Sequence, residues 1–128
     1  MSAPIGDGES VLLIDSKARR YLLKLSAKGE FHYHLGRLPH ASIIGVEEGT
    51  ELKSSSGGSL VVLRPRLADF ILKMPRGAQV VYPKDIGPIL VWADIGPGMT
   101  VLEAGSGSGA LTLGLLRGVG DRGKVVSV

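Results

Sequence analysis

Thr100-Val101-Leu102-Glu103-Ala104 runs into Gly105-Ser106-Gly107-Ser108-Gly109, and then into Ala110-Leu111-Thr112-Leu113. An apolar, β-branched run meets three glycines at every second position, and an apolar run of helical period follows. Glycine lacks a Cβ, so such a loop turns tightly and lets a ligand approach the backbone. The loop feeds a helix start, whose unpaired N–H groups and positive dipole end attract negative charge. The spacing predicts a helix over 110–119 and a turn at Gly120-Asp121-Arg122-Gly123. A second strand is expected at Lys124-Val125-Val126-Ser127-Val128. Strand, glycine loop, helix and strand make one βαβ unit.

Two ligand classes use this geometry. Gly105, Gly107 and Ala110 satisfy G-x-G-x-x-G/A, the spacing with which a dinucleotide's pyrophosphate is seated on the helix start. S-adenosylmethionine carries no phosphate but has a carboxylate, an ammonium and a sulfonium. Glu103 discriminates: a carboxylate at the end of a buried-type strand is expensive without compensation. It would repel a pyrophosphate and complement a methionine ammonium. A glycine- and serine-rich turn with no ligand is the remaining reading.

Upstream, Lys84 to Ala93 reads as an apolar helix interrupted by Gly87 and Pro88, and Asp94 to Gly98 as a turn. Ala78 to Tyr82 reads as a short extended segment. Leu67, Phe70, Ile71 and Met74 form one helical stripe, opened near Pro65 and stopped by Pro75 and Gly77. The first 65 residues change period. Ser10–Ile14, Tyr21–Leu25, Glu30–His34, Ala41–Ile44, Glu51–Ser54 and Leu60–Leu63 are strand-like, the last two flanking the hairpin signal Ser55-Ser56-Gly57-Gly58. The expected fold is a small all-β domain (barrel- or sandwich-like) over 1–65 and a linker helix over 66–75. The first βαβ unit of a Rossmann-like α/β domain then occupies 76–128. Those last 53 residues are few against about 100–150 for a typical domain, and the sequence stops on a strand. The expectation is an N-terminal fragment of a longer protein; the alternative is a complete small protein whose last strand docks on the β region.

The chain of 128 residues has no cysteine, so it holds neither a disulfide nor a cysteine-ligated metal. It shows no signal-peptide pattern and no apolar run of the ~18 residues that a membrane helix needs. A cytoplasmic protein is expected. Residues 1–75 carry 10 basic and 8 acidic side chains and residues 76–128 carry 5 and 4, an excess with no lysine- or arginine-rich block. His32, His34 and His40 offer no third metal ligand at a convincing spacing, so no metal site is assigned; a solvated surface or contacts to RNA or a partner subunit are the expected roles. Tyr82-Pro83-Lys84-Asp85 opens a helix, with Asp85 suited to its positive end. Tyr82 equally offers a plane on which an unstacked base could rest.

Taken in order, Phe31-His32-Tyr33-His34-Leu35-Gly36, Leu63-Arg64-Pro65, Met74-Pro75-Arg76-Gly77, Tyr82-Pro83-Lys84-Asp85 and Val101 to Leu113 resemble the tRNA adenine-N1 methyltransferases of the TrmI type, actinobacterial members above all. That family modifies the T-loop adenosine at position 58. The resemblance implies S-adenosylmethionine as cofactor, tRNA as partner and a homotetramer. It implies that Glu103, Gly105, Gly107, Ser108, Gly109, Ala110 and Leu111 border the methionine moiety, and that Tyr82 borders the pocket for a flipped adenine. The catalytic aspartate and the acid that holds the ribose would lie beyond Val128, which leaves no catalytic residue within the chain. A non-catalytic RNA-binding or assembly module is the rival reading, and an NAD-type fragment the third.

Overall fold

The computed structural model describes residues 2–75 and 79–128. They fall into two compact units, one running to Arg66 and the other from Leu67. The first contains β1 (Ser10–Asp15), β2 (Arg20–Lys24), β3 (Glu30–Tyr33), β4 (Gly36–Pro39), β5 (Glu51–Lys53) and β6 (Ser59–Leu63). Four strands form a sheet in the order β2-β1-β6-β5, and β3 and β4 form a separate hairpin; every pairing is antiparallel. Period-two alternation sends Val11 and Leu13 of β1 to the same face as Leu60 and Val62 of β6. Ile5, Leu25, Leu38 and Ile43 complete that core, each side chain contributing about 1.5–3 kcal/mol by leaving water.

The strand expected at Ala41–Ile44 is absent. His40–Ser42 is a turn of 3-10 helix in which the His40 carbonyl accepts from Ile43 N at 2.9 Å and Ile44 N at 3.0 Å. The buried His40 ring accepts Ser26 N–H at Nδ1, 3.1 Å. Ile43 enters the core from a turn, so its apolar character does not mark a strand. The strand actually present, β4, was hidden because Gly36-Arg37-Leu38-Pro39 has no β-branched residue. It forms because Leu38 pairs with Phe31 across the hairpin and is buried. The 54–58 hairpin turn follows the sequence signal, and Gly58 is required there: a Cβ would collide with the Tyr33 hydroxyl.

The second unit contains α1 (Leu67–Leu72), α2 (Pro83–Trp92), β7 (Thr100–Glu103), α3 (Ala110–Val119) and β8 (Lys124–Ser127). β7 and β8 pair in parallel, with Glu103 opposite Ser127, so the expected βαβ unit is present. Helix α1 ends at Leu72, and Lys73 and Met74 close it as a turn on the Phe70 and Ile71 carbonyls. Pro88 stands inside α2, removing one helical donor; Ile86, Leu90 and the other apolar residues of the cluster hold the helix nonetheless. Ile71, Ile86 and Ala110 are buried together, with Leu67, Met74, Val80, Val81, Leu90 and Leu111 around them. Helices α2 and α3 approach so closely at Gly114 that a Cβ there would strike Ile86. Residues 79–82 carry no strand pairing, and Ala78, where that expected extended segment begins, lies outside the described residues. β7 is not buried throughout: Glu103 faces α3 and is buried, whereas Leu102, on the opposite face, is 71 % exposed.

Candidate cofactor site

The joint between β7 and α3 is built from backbone. Gly105, Gly107 and Gly109 take φ of 76°, 54° and 87°, the left-handed region that side chains with a Cβ rarely enter. Val128 N donates to the Glu103 carbonyl at 2.9 Å and Gly105 N to the Val128 carbonyl at 2.8 Å, fixing where the loop leaves the sheet. Gly109 N bonds the Ser106 carbonyl at 2.9 Å and closes the turn; Gly109 is then the N-cap of α3, with no side-chain cap. Ser108 Oγ reaches Ala110 N only at 3.4 Å. A Cβ at Gly105 or Gly109 would meet no atom of the described residues within 4 Å, and one at Gly107 would lie 3.8 Å from the Gln79 carbonyl oxygen. The glycines therefore serve backbone conformation and an open approach, not tight internal packing.

Glu103 ends β7 at 7 % exposure. Its Oε1 accepts from Thr112 Oγ1 at 2.5 Å and from Ser127 Oγ at 2.6 Å. Its Oε2 is buried without a hydrogen-bond partner among the described residues. A carboxylate oxygen withdrawn from water with no described residue to compensate it is costly, and a ligand carrying an N–H donor or a positive charge would relieve that cost. Neither hydroxyl stands out in the sequence. Ser127 was accessible in principle, because parallel register sets it opposite Glu103; Thr112 needs the third dimension, its helix folding back over the strand.

Glu103, Gly105, Gly107, Ser108, Gly109 and Ala110 thus meet at one joint. Ala110 and Leu111 pack their side chains into the helix cluster, so they can offer a ligand only backbone. Tyr82 is the N-cap residue of α2 and lies on the 79–82 segment whose Gln79 carbonyl approaches Gly107. Tyr82 lines a cleft of about 410 Å³ with Ala68, Leu72, Pro83 and Lys84, and no glycine-loop residue lines that cleft. Asp85 sits in the first turn of α2 with its N–H bonded to the Tyr82 carbonyl at 2.9 Å. His32 contacts Glu30 at 3.0 Å, and His34, beyond the end of β3, contacts Arg19 at 3.1 Å. Among the described residues no group of three or more His, Cys, Asp or Glu could hold a metal ion. Among them, too, no helix is long and apolar enough to cross a membrane.

A parallel βαβ unit with a glycine turn and a buried acid closing its first strand defines the α/β class that receives nucleotide-like ligands at the carboxyl end of the sheet. Two family patterns match the chain: one described as TrmI-like N-terminal over residues 4–51, the other as tRNA methyltransferase complex GCD14 subunit over residues 58–128. The chain belongs to this GCD14 family of tRNA methyltransferases. It is 44 % identical over 117 residues to the tRNA (adenine(58)-N(1))-methyltransferase TrmI of Thermus thermophilus, covering 91 % of this chain and 46 % of that protein. It is 43 % identical over 116 residues to the tRNA (adenine(57)-N(1)/adenine(58)-N(1))-methyltransferase TrmI of Methanocaldococcus jannaschii, covering 91 % and 40 %. Among solved structures it matches a SAM-dependent O-methyltransferase from Thermotoga maritima with TM-score 0.91, 33 % identity and coverage of 96 % and 46 %. It also matches the tRNA (m1A58) methyltransferase TrmI from Aquifex aeolicus with TM-score 0.78, 32 % identity and coverage of 95 % and 46 %. The chain spans a little under half the length of these relatives.

Proposed function

We propose that the chain is the N-terminal part of an S-adenosylmethionine-dependent tRNA adenine-N1 methyltransferase acting on position 58 of the T-loop. The observation that carries this reading is the buried Oε2 of Glu103, unpartnered among the described residues, beside three glycines in the left-handed region. A carboxylate there suits the ammonium of a methionine moiety and opposes a diphosphate, so the dinucleotide reading is disfavoured by the same atom. Glu103, with Thr112 and Ser127 fixing its other oxygen, would hold the ammonium. The backbone of Gly105, Gly107, Ser108 and Gly109 would border the rest of the methionine group, joined by the N–H groups of Ala110 and Leu111. The cofactor supplies an electrophilic methyl group; the chain's part is to bind and orient it. In the finer architecture we read, an all-β domain precedes the opening βαβ of a Rossmann-like class I methyltransferase domain, in a cytoplasmic homotetramer.

Tyr82, 37 % exposed, is proposed to border the adenine. N1 lies on the Watson–Crick edge, so the base must leave its stack to react, and an aromatic plane at a helix start suits an extruded base. The relatives' names support tRNA as substrate. The direct test is methyl transfer from labelled S-adenosylmethionine to an unmodified tRNA transcript by the full-length protein. Label in N1-methyladenosine at position 58 is the expected product; label elsewhere or none removes the reading. Tyr82→Ala should lower turnover while leaving cofactor affinity unchanged.

A further inference from the structure

The first unit is electrically polarised, although its charges are dispersed in the sequence. Strands β1, β3 and β5 each end in a turn, and these turns, 16–19, 34–35 and 54–58, lie together. Arg19 Nη2 meets His34 Nε2 at 3.1 Å, Ser54 Oγ donates to the Leu35 carbonyl at 2.5 Å, and Ser55 N donates to the Arg37 carbonyl at 2.8 Å. This end presents Lys17, Arg19, His34, Arg37, Ser55 and Ser56, all exposed, and no exposed carboxylate within the three turns. The opposite end gathers the turns 6–9, 26–29 and 45–50, tied by Leu25 N to the Glu9 carbonyl and by Arg64 to Glu9 and Glu48. It carries Asp7, Glu9, Glu47 and Glu48 against Lys28 and Arg64.

The basic end is also preorganised. Asp15, its side chain 2 % exposed, accepts from Lys17 N at 3.0 Å, Arg19 N at 2.8 Å, Arg19 Nε at 3.0 Å and Tyr21 Oη at 3.2 Å. Burial pushes its carboxyl upward, yet the backbone donors of Arg19 and Lys17, the Tyr21 hydroxyl and the Arg19 charge prevail and hold it below its ordinary value. The Arg19 fork is thereby fixed between Asp15 and His34. Because guanidinium only donates, the His34 Nε2 in that contact accepts. Arg37 stands beside His32 across the β3–β4 pair, and its N–H is anchored on Ser55 Oγ at 2.9 Å. A fixed guanidinium beside further cations, hydroxyls and turn N–H groups is the chemistry that contacts successive phosphates.

We infer that the three-turn end of the first unit, centred on Lys17, Arg19 and Arg37, is a phosphate-contacting surface for the RNA substrate. That the polyanion is RNA rests on the function proposed above. The test is the binding of an unmodified tRNA transcript to the full-length protein as a function of salt, with S-adenosylmethionine affinity measured alongside. Lys17→Glu with Arg37→Glu should weaken RNA binding roughly tenfold or more and flatten the log–log salt slope by about 2, one per lost phosphate contact. Cofactor affinity should stay unchanged, and Asp7→Lys with Glu47→Lys at the opposite end should not weaken RNA binding. Should the double variant fail to fold, Lys17→Gln and Arg37→Gln singly should each flatten the slope by about 1. RNA affinity and salt slope equal to the unsubstituted protein overturn the inference. Loss of cofactor binding by the unsubstituted protein would instead strike the methyl-donor reading and leave the phosphate surface standing.

Discussion

The two units place their chemistry at different levels of the chain. In the second, the site is a local device: five consecutive residues after Ala104 set a backbone path, and the carboxylate that matters stands two residues before it. In the first, no short stretch carries the chemistry. Lys17, Arg19, His34, Arg37 and Ser55 become neighbours only when three hairpin turns are stacked by the sheet and its companion hairpin. A glycine loop can therefore be read from a string, because backbone conformation is a property of neighbours in sequence. A charged surface cannot, because charge acts across whatever distance the fold leaves.

That contrast can be broken by substitution. Leu13→Ala, in the core of the first unit, should cost about 2–5 kcal/mol, seen in urea unfolding as loss of RNA binding together with loss of β structure. The same loss of RNA affinity without unfolding is the signature reserved for the basic end. Gly105→Val forces a β-branched residue to φ near 76°, a strain of about 1–3 kcal/mol. Cofactor affinity should fall roughly 10- to 100-fold by calorimetry while RNA binding persists. Thr112→Val removes one of the two donors to Glu103 Oε1, and should destabilise the second unit by about 1.5–3 kcal/mol; Thr112→Ser should restore it. Gly114→Ala, pressed on Ile86, should cost about 1–3 kcal/mol through overpacking.

The smallest effect is one of pH. Asp15 and Glu9 both have carboxyl groups held below their ordinary values of 3.8 and 4.5. For Glu9 the dominant cause is the hydrogen bond from Arg64; for Asp15 burial acts upward and is outweighed by its backbone donors. A lowered native pKa means the unfolded chain binds protons first on acidification, so this stabilisation is present above the ordinary values and is lost as pH falls through the native ones. Acid titration followed by circular dichroism should show the first unit weakening below about pH 4. Asp15→Asn should flatten that dependence.

Much of this fold was written in the periodicities. Helix α3 occupies 110–119 as its pattern predicts, and β1, β5 and β6 lie where alternating runs met turn residues. The misplaced strand at Ala41–Ile44 has a definite cause. Pro39 ends β4, the His40 ring is drawn to Ser26, and Ile43 is buried from a 3-10 turn, so apolarity there reports burial and not extension. Likewise β7 reads as buried on both faces because Leu102 is as apolar as Val101, while only the face carrying Glu103 lies against α3. In the site, Glu103 and the glycines stood out because glycine at alternate positions has few other uses. Thr112 and Ser127 did not, since a hydroxyl gains meaning only from the carboxylate it finds in space. Tyr82 lines a cleft with α1 and the start of α2, a placement that no spacing rule could supply.

The claim on which the rest depends is that the Gly105–Gly109 turn and Glu103 receive a cationic methionine group. The most direct measurement is a calorimetric titration of the full-length protein with S-adenosylmethionine and, separately, with NAD, repeated on Glu103→Gln. S-adenosylmethionine should bind, the substitution should weaken that binding while the fold is kept, and NAD should give no heat of binding. Binding of NAD in place of S-adenosylmethionine, or cofactor binding that the Glu103 substitution leaves untouched, would contradict it.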